Sequence, residues 1–497
     1  MPFAAFFVAF LLLLCIPRRS RKLAVCLLLG ALAGLCAVYT TNARLERTRA
    51  NYAGRTVLLT AEVERADSSY LPGTVDATLW VESVNGSPAS FCIACAELPA
   101  CTAGKRVQGW FALQQPDMEE QTAQYADGIA LQAEPLAEKL QLTVLGESGS
   151  FRARTHRLQQ KLSESLRRAM HRDTGGVLAA MTVGDRSGLS AQLRSAYRGA
   201  GLSHVLVVSG MHVSILCGDV LGRLLPNRKK RLRGYTGRRV RALFSAVMAL
   251  LLVGVTGFTP SVLRAAGAVW LSALGVWVYG PPDALTSLGV AGVLMTAGNS
   301  CAVCDVGFQL SFAAVVGTLA GGAVVRRSQE VWEKQRAKKK RPRLRFWKRK
   351  ALGLAGSLWE TVCISACASM ATFPVLVLRG MSTTVWAVAS GVTVLWLVGP
   401  MLSFGLGAAL LGLAAEGLAL FEIIRRPVAF CAEGLAWLMN EWAFRVSVLP
   451  GASLWFDGTY AALVCLVLIL LCVMAMRRHI RLRVALPTVI LLAALAI

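Results

Sequence analysis

The chain has 497 residues, 55% of them hydrophobic and only 16% charged, with a mean hydropathy of +0.53. Soluble domains carry about 25% charged residues, so this composition argues against an ordinary soluble enzyme and for an integral membrane protein. The net charge of +25 calls for an anionic surface, nucleic acid or lipid headgroups, or for nothing more than basic cytoplasmic loops.

Residues 1–16 and 23–39 are apolar and flank the basic group Arg18, Arg19, Arg21 and Lys22. Each run is near the lower limit of the roughly 17–25 residues that a spanning helix needs. No basic residue precedes the first run, so a retained transmembrane hairpin over 1–40 is expected rather than a cleaved signal. Its basic turn would be cytoplasmic, which places residues 40–200 outside.

Residues 51–147 change character. Val57, Leu59, Ala61 and Val63 alternate with other residues, as do Val75, Ala77, Leu79 and Val81, and short β-like runs recur at 90–98, 105–114 and 141–145. Asn85-Gly86 is a hairpin signal. About five strands in about 100 residues predict a small extracytoplasmic β-barrel of the oligonucleotide-binding (OB) type. Residues 51–150 hold five Lys/Arg against thirteen Asp/Glu, a net charge of −8. A phosphate-binding funnel should be basic, so a structural or docking role is preferred to direct DNA binding.

Nine of the fourteen cysteines lie in apolar runs and read as small packing residues. Cys92, Cys95 and Cys101 in the β-rich region, and Cys301 and Cys304 near a predicted membrane edge, are the candidates for disulfides if they face an oxidising compartment. Neither group has nearby histidines, so zinc is not expected.

Over residues 151–200 the sign reverses, with ten Lys/Arg against three Asp/Glu, a net charge of +7. Leu158, Leu162, Leu166 and Met170 recur every four residues, while Arg154, Arg157, Lys161, Arg167 and Arg168 take other faces. This is a basic amphipathic helix suited to a membrane–water boundary, and both lipid and DNA phosphate fit it.

Residues 201–497 read as a multi-span membrane domain. Arg223–Arg241 contains nine Lys/Arg and Arg326–Lys350 contains thirteen. Four candidate spans separate them, near 242–258, 262–280, 285–303 and 306–325, and an even number of crossings lets both basic loops be cytoplasmic. Further runs near 352–378, 384–403, 404–424 and 460–476 are long enough to span. Residues 428–449 are polar enough to lie at the interface, and the run at 484–497 is short.

Residues 199–216 place Ser203, His204, Ser209, His212 and Ser214 within an apolar segment broken by Gly210. Polar groups at membrane depth are costly unless they face a cavity or one another. A discontinuous helix lining a water-filled path fits, as do helix–helix hydrogen bonds in a transporter core. Asp185, His204 or His212, and Ser209 also supply the residue types of a nucleophilic triad, but no Gly-x-Ser-x-Gly elbow surrounds the serine. Neither a His-Glu-x-x-His pattern nor a Gly-x-x-x-x-Gly-Lys-Ser/Thr loop occurs, so no cofactor and no intrinsic ATP-driven motor are expected.

Four blocks in order carry a resemblance. Gly201–Leu216 closely resembles the hallmark of the ComEC family of competence proteins. Thr182–Leu189, with Asp185 and Arg186, looks like the short block before it. Thr259–Ala265, with Arg264, is similar to the family's Pro-Ser-Val-Leu-Arg pattern, and Asp305–Val315, with Gln309 and Ser311, to its Gly-Phe-Gln-Leu-Ser-Phe block. The leading hairpin and small β domain also follow the family layout. The resemblance implies a non-enzymatic inner-membrane channel in the bacterial cytoplasmic membrane, admitting single-stranded transforming DNA. It also implies an outer DNA receptor and a cytoplasmic translocase as partners.

On this reading Asp185, Arg186, Ser203, His204, Ser209, Gly210, His212, Ser214, Arg264, Gln309 and Ser311 line or shape the path. Arg264 would meet a phosphate, pair with Asp185 or Asp305, or snorkel to headgroups. Many members continue into a metallo-β-lactamase-like domain; none is seen here, so any nuclease is expected as a separate protein. The asparagines that members show after the Phe373-Pro374 position are also missing, since residues 386–400 offer only Ser390 and Thr393. The alternative function is a secondary transporter or flippase for another anionic substrate.

Overall fold

The computed structural model describes residues 18–456 except 69–72, 100, 118–119, 136–142, 209, 211, 214, 216–234, 257–259, 279–283, 339–345, 416 and 418–419. The expected spans at 1–16, 460–476 and 484–497 lie outside the described residues. The chain divides into two compact units, one of residues 1–153 with 292–305 and one of 154–291 with 306–497.

In the first unit a 35-residue helix, α1 (Arg18–Tyr52), leads into the strands. The basic group Arg18–Lys22 is helical and continuous with the rest of α1, as suits Arg and Lys, which are good helix formers. Six strands follow: β1 (Thr56–Ser68), β2 (Thr74–Val84), β3 (Ser87–Pro99), β4 (Lys105–Gln114), β5 (Ile129–Pro135) and β6 (Thr143–Glu147), with a short helix α2 (Gln121–Ala126) before β5. Pairings run β1–β2–β3–β5–β4 and return from β4 to β1, so five strands make a ring-like sheet to which β6 adds at β4. The β3–β5 pair is parallel.

Alternation in the sequence sets the ring's interior. Val57, Leu59, Ala61 and Val63 of β1 are buried with Leu79, Val81, Ile93, Val107, Phe111 and Leu131. Asn85 and Gly86 turn the β2–β3 hairpin at φ 50° and 83°, the left-handed pair that a two-residue turn of this hand requires. The Asn85 carboxamide also accepts from the Leu58 N–H at 2.9 Å. Strand β5 was not expected from the sequence; its run Ile129-Ala130-Leu131 is buried continuously and shows little alternation.

No disulfide joins Cys92, Cys95, Cys101, Cys301 or Cys304 among the described residues. Cys95 and Cys101 are instead core side chains of the ring. Burial pushes the Cys92 and Cys95 thiols up to about 12.

The second unit is helical. It contains α3 (Phe151–Ala169), α4 (Arg172–Val183), α5 (Ala191–Gly199), α6 (Tyr235–Val255), α7 (Pro260–Val278), α8 (Ala284–Thr296, shared with the first unit), α9 (Val306–Lys338), α10 (Phe346–Leu378), α11 (Ala387–Ala415) and α12 (Leu420–Ser447). Among the described residues four helices are long and apolar enough to cross a membrane, over Ser261–Val278, Val306–Trp332, Ala355–Leu378 and Ala387–Ala415. The protein is therefore a multi-pass membrane protein with a small ring-like β domain.

Three expected spans differ. Residues 384–403 and 404–424 are not separate helices, because α11 continues unbroken through Pro400; apolar helices tolerate proline where neighbours satisfy the freed carbonyl. The span expected at 285–303 is a 13-residue helix followed by a 3-10 turn at Ser300–Cys304.

Helix α4 is buried almost throughout, and its glycines and alanines allow close packing. The apolar stripe of α3 packs into the same core: Leu162, Leu166 and Met170 join Leu178, Met181, Tyr197, Val398, Met401 and Met439. The apolar stripe expected to lie against lipid thus packs largely on protein, while Leu158 and, at the start of the helix, Phe151 are exposed. Residues 428–449, expected near an interface, belong to α12, which lays Ala429, Ala432, Ala436, Met439 and Ala443 against this core.

Candidate functional site

The polar segment that follows α5 starts at Gly201, where φ is +73°. A β-carbon there would lie 2.7 Å from Ala387 Cα, so both backbone hand and space require glycine. Ser203 and His204 follow in an exposed turn, and His204 Nδ1 lies 3.1 Å from the Gly201 carbonyl. The backbone is helical again at Gly210, His212, Val213 and Ile215. The chain therefore passes through a turn and bend between α5 and Gly210. His212 is fully buried. Ser209 and Ser214 lie outside the described residues.

This segment seats on the beginning of α7. Ser261 Oγ donates to the Val208 carbonyl at 2.6 Å. Val208 and Val213 pack with Val262, Ala265 and Ala266 of α7 and with Ala249 and Val253 of α6. A β-carbon on Gly210 would lie 3.4 Å from Ala265 Cβ and 3.8 Å from an Arg264 guanidinium nitrogen, so position 210 sits in van der Waals reach of the arginine.

Arg264 is only 7% exposed. Its Nη1 is buried with no hydrogen-bond partner, and among the described residues it makes no ion pair. Its guanidinium lies over the Phe312 ring, 6.0 Å from the centroid, at the outer range of a cation–π contact. Phe312 stacks on Phe308 with centroids 4.3 Å apart, one turn earlier on α9. Gln309, on the same turn, accepts from Arg379 Nε at 3.4 Å, and Ser311 is half-buried on that helix.

Asp185 does not pair with Arg264. It accepts from Arg167 Nη2 at 2.8 Å and from the Ser187 hydroxyl at 2.7 Å, and Ser163 donates to it as well. Burial pushes Asp185 up, but the hydrogen bonds from Ser163 and Ser187 and the Arg167 charge outweigh it and hold the carboxyl below its ordinary value. None of its described hydrogen bonds reaches His204 or His212. Arg186 is exposed, and its carbonyl accepts from Arg194 at 3.2 Å. Gly184, next to Asp185, meets Thr256 at the end of α6, with a built β-carbon 3.2 Å from the Thr256 carbonyl.

Three of the four sequence blocks thus converge on Arg264, and the fourth braces the helix beside them. Sequence reasoning missed Ser261, Phe308, Phe312 and Arg379 as members of the cluster. The phenylalanines carry a signal, since spacings of three and four share a helix face; nothing in the sequence pairs Arg379 with Gln309. Among the described residues no group of three or more His, Cys, Asp or Glu is placed to hold a metal ion.

The arrangement coincides with a known family. A family model described as "Competence protein" matches residues 181–481, more than half of the chain. The chain belongs to the competence protein family. It is also similar to "ComE operon protein 3" of Bacillus subtilis (strain 168), at 32% identity over 141 residues. That match takes in 28% of this chain and 17% of the length of the Bacillus protein. No solved structure matches the chain. Within the competence family match lie the broken segment, the α6–α7 pair, Arg264, Gln309, Ser311 and Arg379; the ring-like β domain precedes it.

Proposed function

We propose that the chain acts in DNA uptake during natural competence, as a channel of the bacterial cytoplasmic membrane through which single-stranded DNA enters. The observation that supports this most is Arg264. Among the described residues it is a buried cation without an ion pair, which costs several kcal/mol, and a fold retains one where a counter-charge arrives from elsewhere. The guanidinium offers a planar fork of donors suited to a phosphate, and the Phe308–Phe312 stack beside it offers the aromatic face on which a base can lie. The passing strand would supply the missing charge, one phosphate at a time.

Sidedness supports the same reading. At the start of α6 Arg239 lies over Trp277 near the end of α7, 4.6 Å from the ring centroid. The two helices are therefore antiparallel, and Arg264 is at the end away from the basic run Arg223–Arg241. With that run cytoplasmic, Arg264 lies just below the outer surface, where a strand would enter. The β domain would stand outside as a docking module, and the driving force would come from a cytoplasmic translocase.

The test is uptake of labelled DNA in the source cells. A deletion strain is compared with complements carrying the wild-type chain, Arg264→Gln or Arg264→Lys at equal membrane levels. Entry should fail in the deletion strain and the Gln variant while DNA still binds outside, and Lys should restore part of it. Normal entry in the deletion strain would overturn the channel reading and favour export or flipping of another phosphate-bearing substrate.

A further inference from the structure

Helix α1 turns one side towards the rest of the first unit. Thr41 accepts from the Ser300 N–H at 3.3 Å, Leu45 is buried in the core of the ring, and Arg49 donates to Gln115 at 2.6 Å. The other side carries Thr40, Arg44, Arg47 and Asn51, whose spacings of four, three and four set them in one stripe. A groove of about 420 Å³ follows that stripe and is lined also by Tyr39 and Tyr52. The Thr40 hydroxyl donates to the Ala37 carbonyl at 3.0 Å, which leaves the two guanidiniums and the Asn51 carboxamide as the donors of the stripe. Arg44 and Arg47 are exposed, and among the described residues neither guanidinium makes an ion pair or a hydrogen bond. Glu46 stands between them in sequence, but residues one and two apart do not face each other on a helix.

Depth decides what the arginines meet. Arg44 lies five residues beyond the apolar run 23–39, about 7.5 Å along the axis, and the headgroup layer on each side of the hydrocarbon is about 5–8 Å deep. Helical side chains lean towards the N-terminus, which here is the bilayer, so Arg47, about 12 Å up the axis, also reaches down into that layer. Arginines three apart are about 5–6 Å apart at the β-carbons, close enough for both forks to hold one phosphate.

We infer that Arg44 and Arg47 bind the phosphate of an anionic phospholipid, whose headgroup occupies the groove beside Tyr39. This inference rests on the membrane character of the chain and not on the proposed uptake function. A DNA strand offers the same phosphate, but the arginines lean towards the bilayer and the neighbouring β domain is acidic. The bound lipid would fix the depth of α1 and with it the height of the β domain above the membrane.

The experiment places the full-length chain in nanodiscs of equal parts phosphatidylglycerol and phosphatidylcholine, extracts it gently, and counts the lipids that stay bound by native mass spectrometry. The wild-type chain should retain phosphatidylglycerol in preference. In the double variant Arg44→Gln, Arg47→Gln that preference should fall about three- to tenfold with an unchanged unfolding temperature. Arg44→Lys with Arg47→Lys should keep part of it, and Arg55→Gln, at another exposed arginine of the same unit, should keep all of it. An unchanged preference in the Gln double variant, or none in the wild-type chain, would overturn the site. Retained phosphatidylglycerol together with weakened binding of a fluorescent thymidine oligonucleotide would overturn it too, and would give the two arginines to DNA.

Discussion

Arg167 and Asp185 are joined by a hydrogen-bonded ion pair of 2.8 Å that ties α3 to the turn after α4. Two serines complete the carboxylate's coordination, Ser187 through its hydroxyl at 2.7 Å and its N–H at 3.0 Å, and Ser163 through its hydroxyl. Because the folded carboxyl sits below its ordinary value, the stability it contributes is present above the unfolded value of about 3.9 and is lost as pH falls towards the folded one. Asp185→Asn should lower the unfolding temperature at pH 7, with a cost of about 1–3 kcal/mol, and wild type and variant should converge only as pH falls through the depressed carboxyl value. Equal unfolding temperatures at pH 7 would refute the staple.

The Tyr197 hydroxyl donates to Asn440 Oδ1 at 2.6 Å, with both residues buried. It joins α5 to α12 in a core built mainly of Leu, Val, Met and Ala. Tyr197→Phe leaves the Asn440 amide without its donor and should cost about 1–3 kcal/mol in thermal unfolding. Adding Asn440→Leu should recover part of that loss; a double variant less stable than the single one would show that the pair is not acting as a unit.

Helices α9 and α10 touch through backbone. A β-carbon on Gly317 would lie 2.5 Å from the Cys367 carbonyl, and one on Gly321 would lie 2.8 Å from Ile364 Cα. Such small residues four apart are a packing face in apolar helices. Gly317→Leu should prevent accumulation of folded protein in membranes, whereas Gly353→Leu, at a position with open space around it, should be tolerated. Equal yields of the two variants by size-exclusion chromatography would contradict the close crossing.

Thiol reactivity reports the β domain. Cys92 and Cys95 are buried and their thiols are pushed up to about 12 by burial, while Cys304 is exposed. Maleimide at pH 8 should modify Cys304 in the folded protein and reach Cys92 and Cys95 only after denaturation. Rapid modification of Cys92 or Cys95 by peptide mass mapping in the native state would show that the ring opens.

The alternating runs of β1 to β4 and the Asn85-Gly86 turn were legible because each is a local property: side-chain period and backbone hand do not depend on what packs outside. The membrane character was equally local, since apolar length and the placement of Arg and Lys express solvation alone. The four ordered blocks pointed to Arg264, Gln309 and the 201–216 segment. What the blocks left open was which residues meet, because that depends on helix crossings remote in sequence. Asp185 offered itself to Arg264 or to a histidine, and only the packing of α3 against α4 gave it to Arg167. The stripe of α3 reads the same whether lipid or protein covers it, and tertiary packing chose protein. Sequence by itself determined a multi-pass membrane protein of the competence type with a small β domain, since solvation and strand pattern are written residue by residue. Only the tertiary structure decided that Arg264 stays without a described counter-ion over Phe312 and that Arg379 comes to Gln309, because the burial and pairing of a charge are properties of its neighbours.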